Sequence, residues 1–203
     1  MTESKLILGI SHGTSRAMWR RSTDPRFVNH YFAGRILDIG GAIDGLAFAK
    51  PFFPRITAVD TFDHDEGNAQ NLENIAPNTY DTVYSSHCLE HVVDHEATLA
   101  RWIEVTRPGG YLVVTVPDED LYEQGVFPST FNDDHRRTFA IAKDKSWSPV
   151  SVNIIDLLSR FRTEVDILKV ELLDQLYRYD FGRFDKCLIG YCESSIEFIL
   201  RKR

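Results

Sequence analysis

Arg35-Ile36-Leu37-Asp38-Ile39-Gly40-Gly41-Ala42-Ile43-Asp44-Gly45 runs a short apolar strand straight into a glycine-rich turn. Asp44 to Lys50 can continue as a short helix, stopped by Pro51 and Pro54. Glycines at a strand end let backbone approach a ligand with no Cβ in the way. A following helix N-terminus offers free N–H groups to an anion. In this setting Gly40 and Gly41 are candidate ligand contacts. Asp38 is a third, able to meet an ammonium group directly or through water.

Working outward, the same alternation recurs. Ile56-Thr57-Ala58-Val59-Asp60 is a second strand that ends in an acid, and Tyr80 to Ser86 is another. Asp94 can cap a helix through Thr106, with Leu99, Trp102, Ile103 and Val105 on its apolar face. Pro108-Gly109-Gly110 reads as a turn and Tyr111 to Val116 as a strand. Val152 to Phe161 reads as a helix, and Thr163 to Leu172 and Ile189 to Leu200 as a closing pair of strands. Short apolar runs separated by helical patterns predict an α/β fold with a mostly parallel sheet. One domain over residues 1–203 is expected, with an N-terminal segment at 1–33 and an insertion or lid at 118–150.

Asp60 follows Asp38 by 22 residues, where a carboxylate can accept both hydroxyls of a ribose. Asn68, together with a backbone N–H, can read the edge of an adenine. A nicotinamide fingerprint would need G-x-G-x-x-G, but Gly40-Gly41-Ala42-Ile43-Asp44-Gly45 has alanine at the second glycine.

Composition narrows the class. Hydrophobic residues at 43% and charged residues at 26% fit a globular protein. A net charge of −7 argues against nucleic acid as the main partner. Arg16, Arg20 and Arg21, and Arg201-Lys202-Arg203, read as solvated terminal charges. Cys88, Cys187 and Cys192 have no metal or disulfide spacing, which favours a reducing cytoplasm. No apolar run reaches the ~20 residues of a membrane span, and no signal peptide is expected.

Two downstream stretches carry a family resemblance. Tyr80-Asp81-Thr82-Val83-Tyr84-Ser85-Ser86-His87-Cys88-Leu89-Glu90-His91-Val92 resembles the fourth-strand motif of class I S-adenosylmethionine (SAM)-dependent methyltransferases of the small-molecule type. Arg107-Pro108-Gly109-Gly110-Tyr111-Leu112 resembles the helix-to-fifth-strand turn of that family. The order of motifs matches over residues 36–117. The resemblance implies a Rossmann-like sandwich on a seven-stranded sheet with an antiparallel last strand, and SAM as cofactor. It puts Gly40 and Gly41 at the methionine part, Asp60 at the ribose, Asn68 and Ala69 at the adenine, and Ser86 and His87 near the sulfonium. The chain departs from the family in two places. Its first-motif glycines are displaced, and only seven residues separate Asp60 from Asn68, where a helix and the start of a third strand are usual.

The resemblance further implies a small polar acceptor, with O-methylation of a sugar or of a glycan or natural-product precursor leading. N- or C-methylation of another metabolite, or a degenerate domain that binds cofactor without turnover, are the alternatives. Candidate general bases are His87 and His135, and His91 reads as a loop-fixing residue. The expected partner is a small-molecule substrate, with a homodimer allowed for. A metal is not expected. His87, His91 and His95 recur every four residues, but a strand end at His87 breaks the ladder. Asp118-Glu119-Asp120 reads as a solvated turn with Asp118 capping a short helix. Tyr122, Phe127, Phe131 and Trp147 are candidate pocket walls or insertion core.

Overall fold

A computed structural model describes residues 13–189 and 192–203. The expected strand Ile189 to Leu200 includes Gly190 and Tyr191, which lie outside the described residues, as does the first part of the expected N-terminal segment.

The strands, in chain order, are β1 (Gly34–Ile39), β2 (Ile56–Phe62), β3 (Tyr80–Ser86), β4 (Thr106–Pro117), β5 (Thr138–Ala140), β6 (Ser151–Asn153), β7 (Val165–Leu173) and β8 (Ser195–Lys202). The main sheet has the order β2-β1-β3-β4-β8-β7, and β8 runs opposite to the other five strands. The antiparallel last strand is therefore present, but among the described residues the sheet has six strands and not seven. The strand expected beside β2 is absent among the described residues because the link from Asp63 to Thr79 is too short for a crossover helix plus a strand. It holds turns only, so among the described residues β2 is a sheet edge. The short strands β5 and β6 pair in parallel within the 118–150 segment and its exit.

Alternating strand residues feed two separate cores, one on each sheet face. One face is covered by α1 (Gly13–Ser22), a π-helical turn at Phe27–Tyr31 and α2 (Leu46–Ala49). There Ile36, Tyr84, Val113 and Ile199 join Phe27, Phe32, Leu46 and Phe53. On the other face Leu37, Val83, Leu112, Val114, Ile196 and Phe198 join Leu99, Trp102 and Ile103 of α3 (His95–Val105) and Leu157 of α4 (Ile154–Ser159). Asp94 caps α3 as its sequence suggests, accepting from Ala97 N at 2.9 Å.

Further sequence expectations need correction. Pro108-Gly109-Gly110 is not a turn ahead of the strand. β4 runs through it from Thr106, with the register against β3 shifting there and Gly109 at φ +78°. Arg20 and Arg21 are not solvated. Arg21 is buried, gives Nη2 to Glu197 Oε2 at 2.7 Å and Nη1 to Tyr84 Oη at 2.8 Å. Arg20 grips Glu193 through two bonds of 2.9 Å, and Lys169 reaches Glu197 at 2.8 Å. Arg16 is also buried and donates to the Cys187 carbonyl at 3.0 Å. Burial alone would raise the Glu197 pKa, but Arg21, Arg20 and Lys169 hold it far below the usual range. The terminal Lys202 also has protein partners, donating to Asn78 Oδ1 at 2.8 Å and to the Thr106 carbonyl at 2.8 Å, and Arg203 pairs with Asp166. No described helix is long and apolar enough to cross a membrane. All three cysteines are free thiols.

Candidate active site

Two cavities open at the carboxyl ends of the parallel strands, the usual ligand position in an open α/β sheet. The larger, about 570 Å³, is bounded by Gly40, Phe62, Asp63, Asn68, Ala69 and Val92. The smaller, about 320 Å³, lies between α1 and the 118–150 segment, against Thr14, Arg16, Ser86, Tyr122 and His135. They meet along Gly40, Asp63, His87 and His91, which border both.

The glycine turn is held from beneath. Asp38 is buried and its Oδ2 accepts from Leu46 N at 2.6 Å, the first residue of α2. It borders neither cavity, so its carboxylate braces the loop where the sequence suggests a ligand contact. Burial pushes its pKa up to about 7, against the lowering effect of the Leu46 bond. Gly40 adopts φ +82°, a conformation that glycine takes without penalty. Gly41 lies so close to Asp38 that a Cβ there would overlap the carboxylate. Gly41 borders neither of these two cavities but another beside Ala42 and Asp63.

Asp60 does not reach the site. In parallel register β1 pairs Ile39 with Phe62, so β2 must run two residues beyond Asp60. Asp60 sits opposite Leu37, in mid-strand, and pairs with Arg35 Nη2 at 2.6 Å. The acid at the true strand exit is Asp63, which borders both cavities. One of its oxygens accepts from Ala42 N at 3.0 Å and the other from His64 N at 2.8 Å. A carboxylate has about four lone-pair sites, so two stay available. The signal that could have found it is Thr61-Phe62, which prolongs the β-rich run past Asp60.

Asn68 and Ala69 lie on the larger cavity as expected. Asn68 Oδ1 caps its own turn by accepting from Gln70 N at 2.9 Å, and the Ala69 carbonyl is fixed by Trp102 Nε1 at 2.9 Å. Ser86 borders the smaller cavity. His87 follows with φ +57°, in the left-handed region that non-glycine residues seldom occupy. That conformation brings its ring to both cavities, with Nε2 3.3 Å from Ser195 Oγ and Nδ1 3.5 Å from Glu90 Oε1.

Glu90 is the residue sequence reasoning undervalues. It is fully buried, and neither carboxylate oxygen makes a hydrogen bond. Three imidazoles surround Oε1: His87 at 3.5 Å, His91 Nε2 at 3.8 Å and His135 Nε2 at 3.9 Å. Burial alone would raise its pKa, yet these histidines hold it below the ordinary value. His135 is buried, and its Nδ1 lies 2.6 Å from Glu123 Oε1. Burial would lower its pKa, but the Glu123 bond and the charge of Glu90 raise it. His95 stands apart at the start of α3 and borders a different cavity, so the four-residue histidine ladder does not exist as a cluster.

The 118–150 segment is anchored, not loose. Asp118 caps a π-helical turn at Glu119–Glu123, accepting from Asp120 N and Leu121 N at 3.0 Å. Glu119 is buried and accepts from Lys143, Ser146, Thr138 and Ser151. Of the four aromatic candidates, Tyr122 borders the smaller cavity and stacks against His135 at 5.2 Å. Phe131 packs edge-on behind Tyr122, and Trp147 bonds Asp120 on the outside. Neither they nor Phe127 border the two cavities.

The profile of the methyltransferase domain family matches residues 16–150. The chain belongs to that family. Among solved structures it resembles a SAM-dependent methyltransferase from Archaeoglobus fulgidus, at 14% identity and TM-score 0.57, covering 92% of each chain. It also resembles phosphoethanolamine N-methyltransferase 2 of Haemonchus contortus in complex with SAM, at 15% identity and TM-score 0.53, over 92% of this chain and 51% of that one. An O-methyltransferase family protein of Burkholderia thailandensis matches at 12% identity and TM-score 0.53, over 94% and 56%. At such identities the likeness is one of fold. No curated protein sequence matches the chain.

Proposed function

We propose that the chain is a SAM-dependent methyltransferase for a small polar acceptor, with a hydroxyl of a sugar or of a glycan or natural-product precursor as the atom methylated. The observation that carries this reading is the meeting of two cavities at Gly40, Asp63, His87 and His91. Each has the volume of a small-molecule site. A donor and an acceptor bound one in each would bring their reacting atoms together at that seam.

The residues fit SAM. The tight Gly40-Gly41 turn admits close backbone contact, Asp63 has lone pairs left for a ribose, and Asn68 with Ala69 suits an adenine edge. Bound there, SAM supplies a methyl group already activated by its sulfonium. The chain then has to align the acceptor and exclude water. Tyr122 and the 118–150 segment wall the acceptor side. His87 is the better placed base, because it borders both cavities and Glu90 can stabilise the proton it takes. His135, buried and bonded to Glu123, fits a positioning role. Three free thiols accord with a reducing compartment such as the cytoplasm.

Calorimetric titration with S-adenosylhomocysteine tests the cofactor assignment. Binding is expected, with a loss of at least ~10-fold in Asp63→Ala and less than ~2-fold in Asp60→Ala, each tenfold being about 1.4 kcal/mol. No binding at millimolar ligand would refute the proposal. A panel of nucleotide sugars with labelled donor then reads the acceptor, and binding without transfer to any acceptor would favour a cofactor-binding domain without turnover.

A further inference from the structure

We infer that Glu90, His91 and His135 form a binding site for one divalent transition-metal ion, opening onto the smaller cavity. These three residues offer donor atoms that all lie within 4.8 Å of one another. Glu90 Oε1 stands 3.8 Å from His91 Nε2 and 3.9 Å from His135 Nε2. Around a tetrahedral ion with bonds of about 2.0–2.1 Å, donors sit about 3.4 Å apart. The two Glu90 edges would shorten by about 0.5 Å, and the two ring nitrogens, within 4.8 Å of one another, would draw in by up to about 1.4 Å to close the site.

Two further observations separate this cluster from a chance grouping. The first is Glu90 itself. A carboxylate with no exposure and no hydrogen bond to either oxygen is costly to bury, and a cation between it and the two rings supplies the missing partner. The second is how the rings are held. His135 turns Nδ1 to Glu123 Oε1 at 2.6 Å, and His91 turns Nδ1 to Asp134 Oδ2 at 3.1 Å. Both therefore present Nε2 to Glu90. A histidine that ligates a metal almost always places its other ring nitrogen on a carboxylate or carbonyl, which fixes the tautomer and ring plane. Here two rings do so independently, from the Leu89–His91 turn and from the 118–150 segment.

Two imidazoles and one carboxylate select a first-row transition ion over magnesium or calcium. Three protein ligands also leave coordination positions for an exogenous oxygen, and all three residues border the smaller cavity. The ion's role, unlike the site, rests on the methyl-transfer reading. It would hold the acceptor through its hydroxyl oxygen and lower that hydroxyl's pKa. The acceptor class is then an oxygen nucleophile and not an amine.

The test uses the full chain, stripped with chelator and titrated with Zn²⁺ by calorimetry, then with Co²⁺ by visible absorption. One equivalent of Zn²⁺ per chain is expected, together with ligand-field bands for bound Co²⁺. His91→Ala and His135→Ala should each weaken Zn²⁺ binding at least ~10-fold. Glu123→Gln, which leaves all three ligands in place, should weaken it ~10–100-fold, and His95→Gln should leave it unchanged. Less than a tenth of an equivalent bound at millimolar Zn²⁺ would overturn the site, as would unchanged affinity in His135→Ala. Should the alanine variants fail to fold, Glu123→Gln and the Co²⁺ spectrum of the unaltered chain decide. S-adenosylhomocysteine is titrated in parallel. Zn²⁺ binding without it would refute the cofactor reading and keep the metal site, and the converse would refute the metal site alone.

Discussion

Replacing Asp38 by asparagine should change how the stability of this protein depends on pH. Asp38 is buried under the glycine turn, and its pKa is raised from 3.8 to about 7. At about 1.36 kcal/mol per unit of pKa, the ionised form costs about 4 kcal/mol relative to the neutral one. A group whose pKa is higher in the folded state contributes stability that is complete below its unfolded value and is lost as pH rises through its folded value. The window therefore runs from about pH 4 to about pH 7. The asparagine side chain keeps an oxygen for Leu46 N and does not titrate, so the Asp38→Asn variant should gain on the wild type as pH rises. Between pH 5 and 8 the difference in unfolding free energy should grow by roughly 2.5 kcal/mol. Urea unfolding of both proteins, monitored by circular dichroism at several pH values, measures it. Taking the difference between the two profiles cancels every other titrating group. A difference that stays flat within about 0.5 kcal/mol over this range would show that Asp38 is ionised throughout and that its burial is better compensated than the geometry indicates.

Two further perturbations probe the site's supports. Gly41→Ala places a methyl group on the Asp38 carboxylate. It should cost about 1–3 kcal/mol of stability and weaken S-adenosylhomocysteine binding at least ~10-fold, and a variant that binds like wild type would refute the close fit of this turn. Arg21→Met leaves Glu197 buried with one cation fewer. Loss of one partner of a buried pair predicts about 3–5 kcal/mol of destabilisation in thermal or urea unfolding, and a loss below about 1 kcal/mol would mean that Arg20 and Lys169 suffice.

The parts of the fold legible in the sequence are those set by local pattern. Ile36 to Ile39 and Val83 to Ser86 alternate between two buried faces, and the glycines after Ile39 mark the strand exit. Asp94 caps α3 by a contact three residues away, which sequence spacing displays directly. What could not be read depends on distant partners. Thr61-Phe62 prolongs the β-rich run past Asp60, but the acid at Asp60 looks like a strand end, and only the register with β1 shows that β2 continues to Phe62. Arg20 and Arg21 look like surface charges until Glu193 and Glu197 face them from β8 and the segment before it. Glu90 sits in a motif whose order is plain in sequence. Its importance lies in His135, which arrives 45 residues later by way of the 118–150 segment, and in Glu123, which no spacing rule connects to it.

The Arg21–Glu197 bond spans 176 positions of chain. At the ribosome's pace of about 5–20 residues per second, Arg21 is made roughly 10–35 s before its partner. During that interval the Arg21 guanidinium of α1 has the Tyr84 and Thr115 hydroxyls to meet but lacks its carboxylate. The same helix supplies Gly13, Thr14 and Arg16 to the smaller cavity. Binding competence should therefore appear late and all at once during biosynthesis, when the final strand inserts between β4 and β7, and a nascent chain halted before β8 would have the glycine turn without a completed pocket.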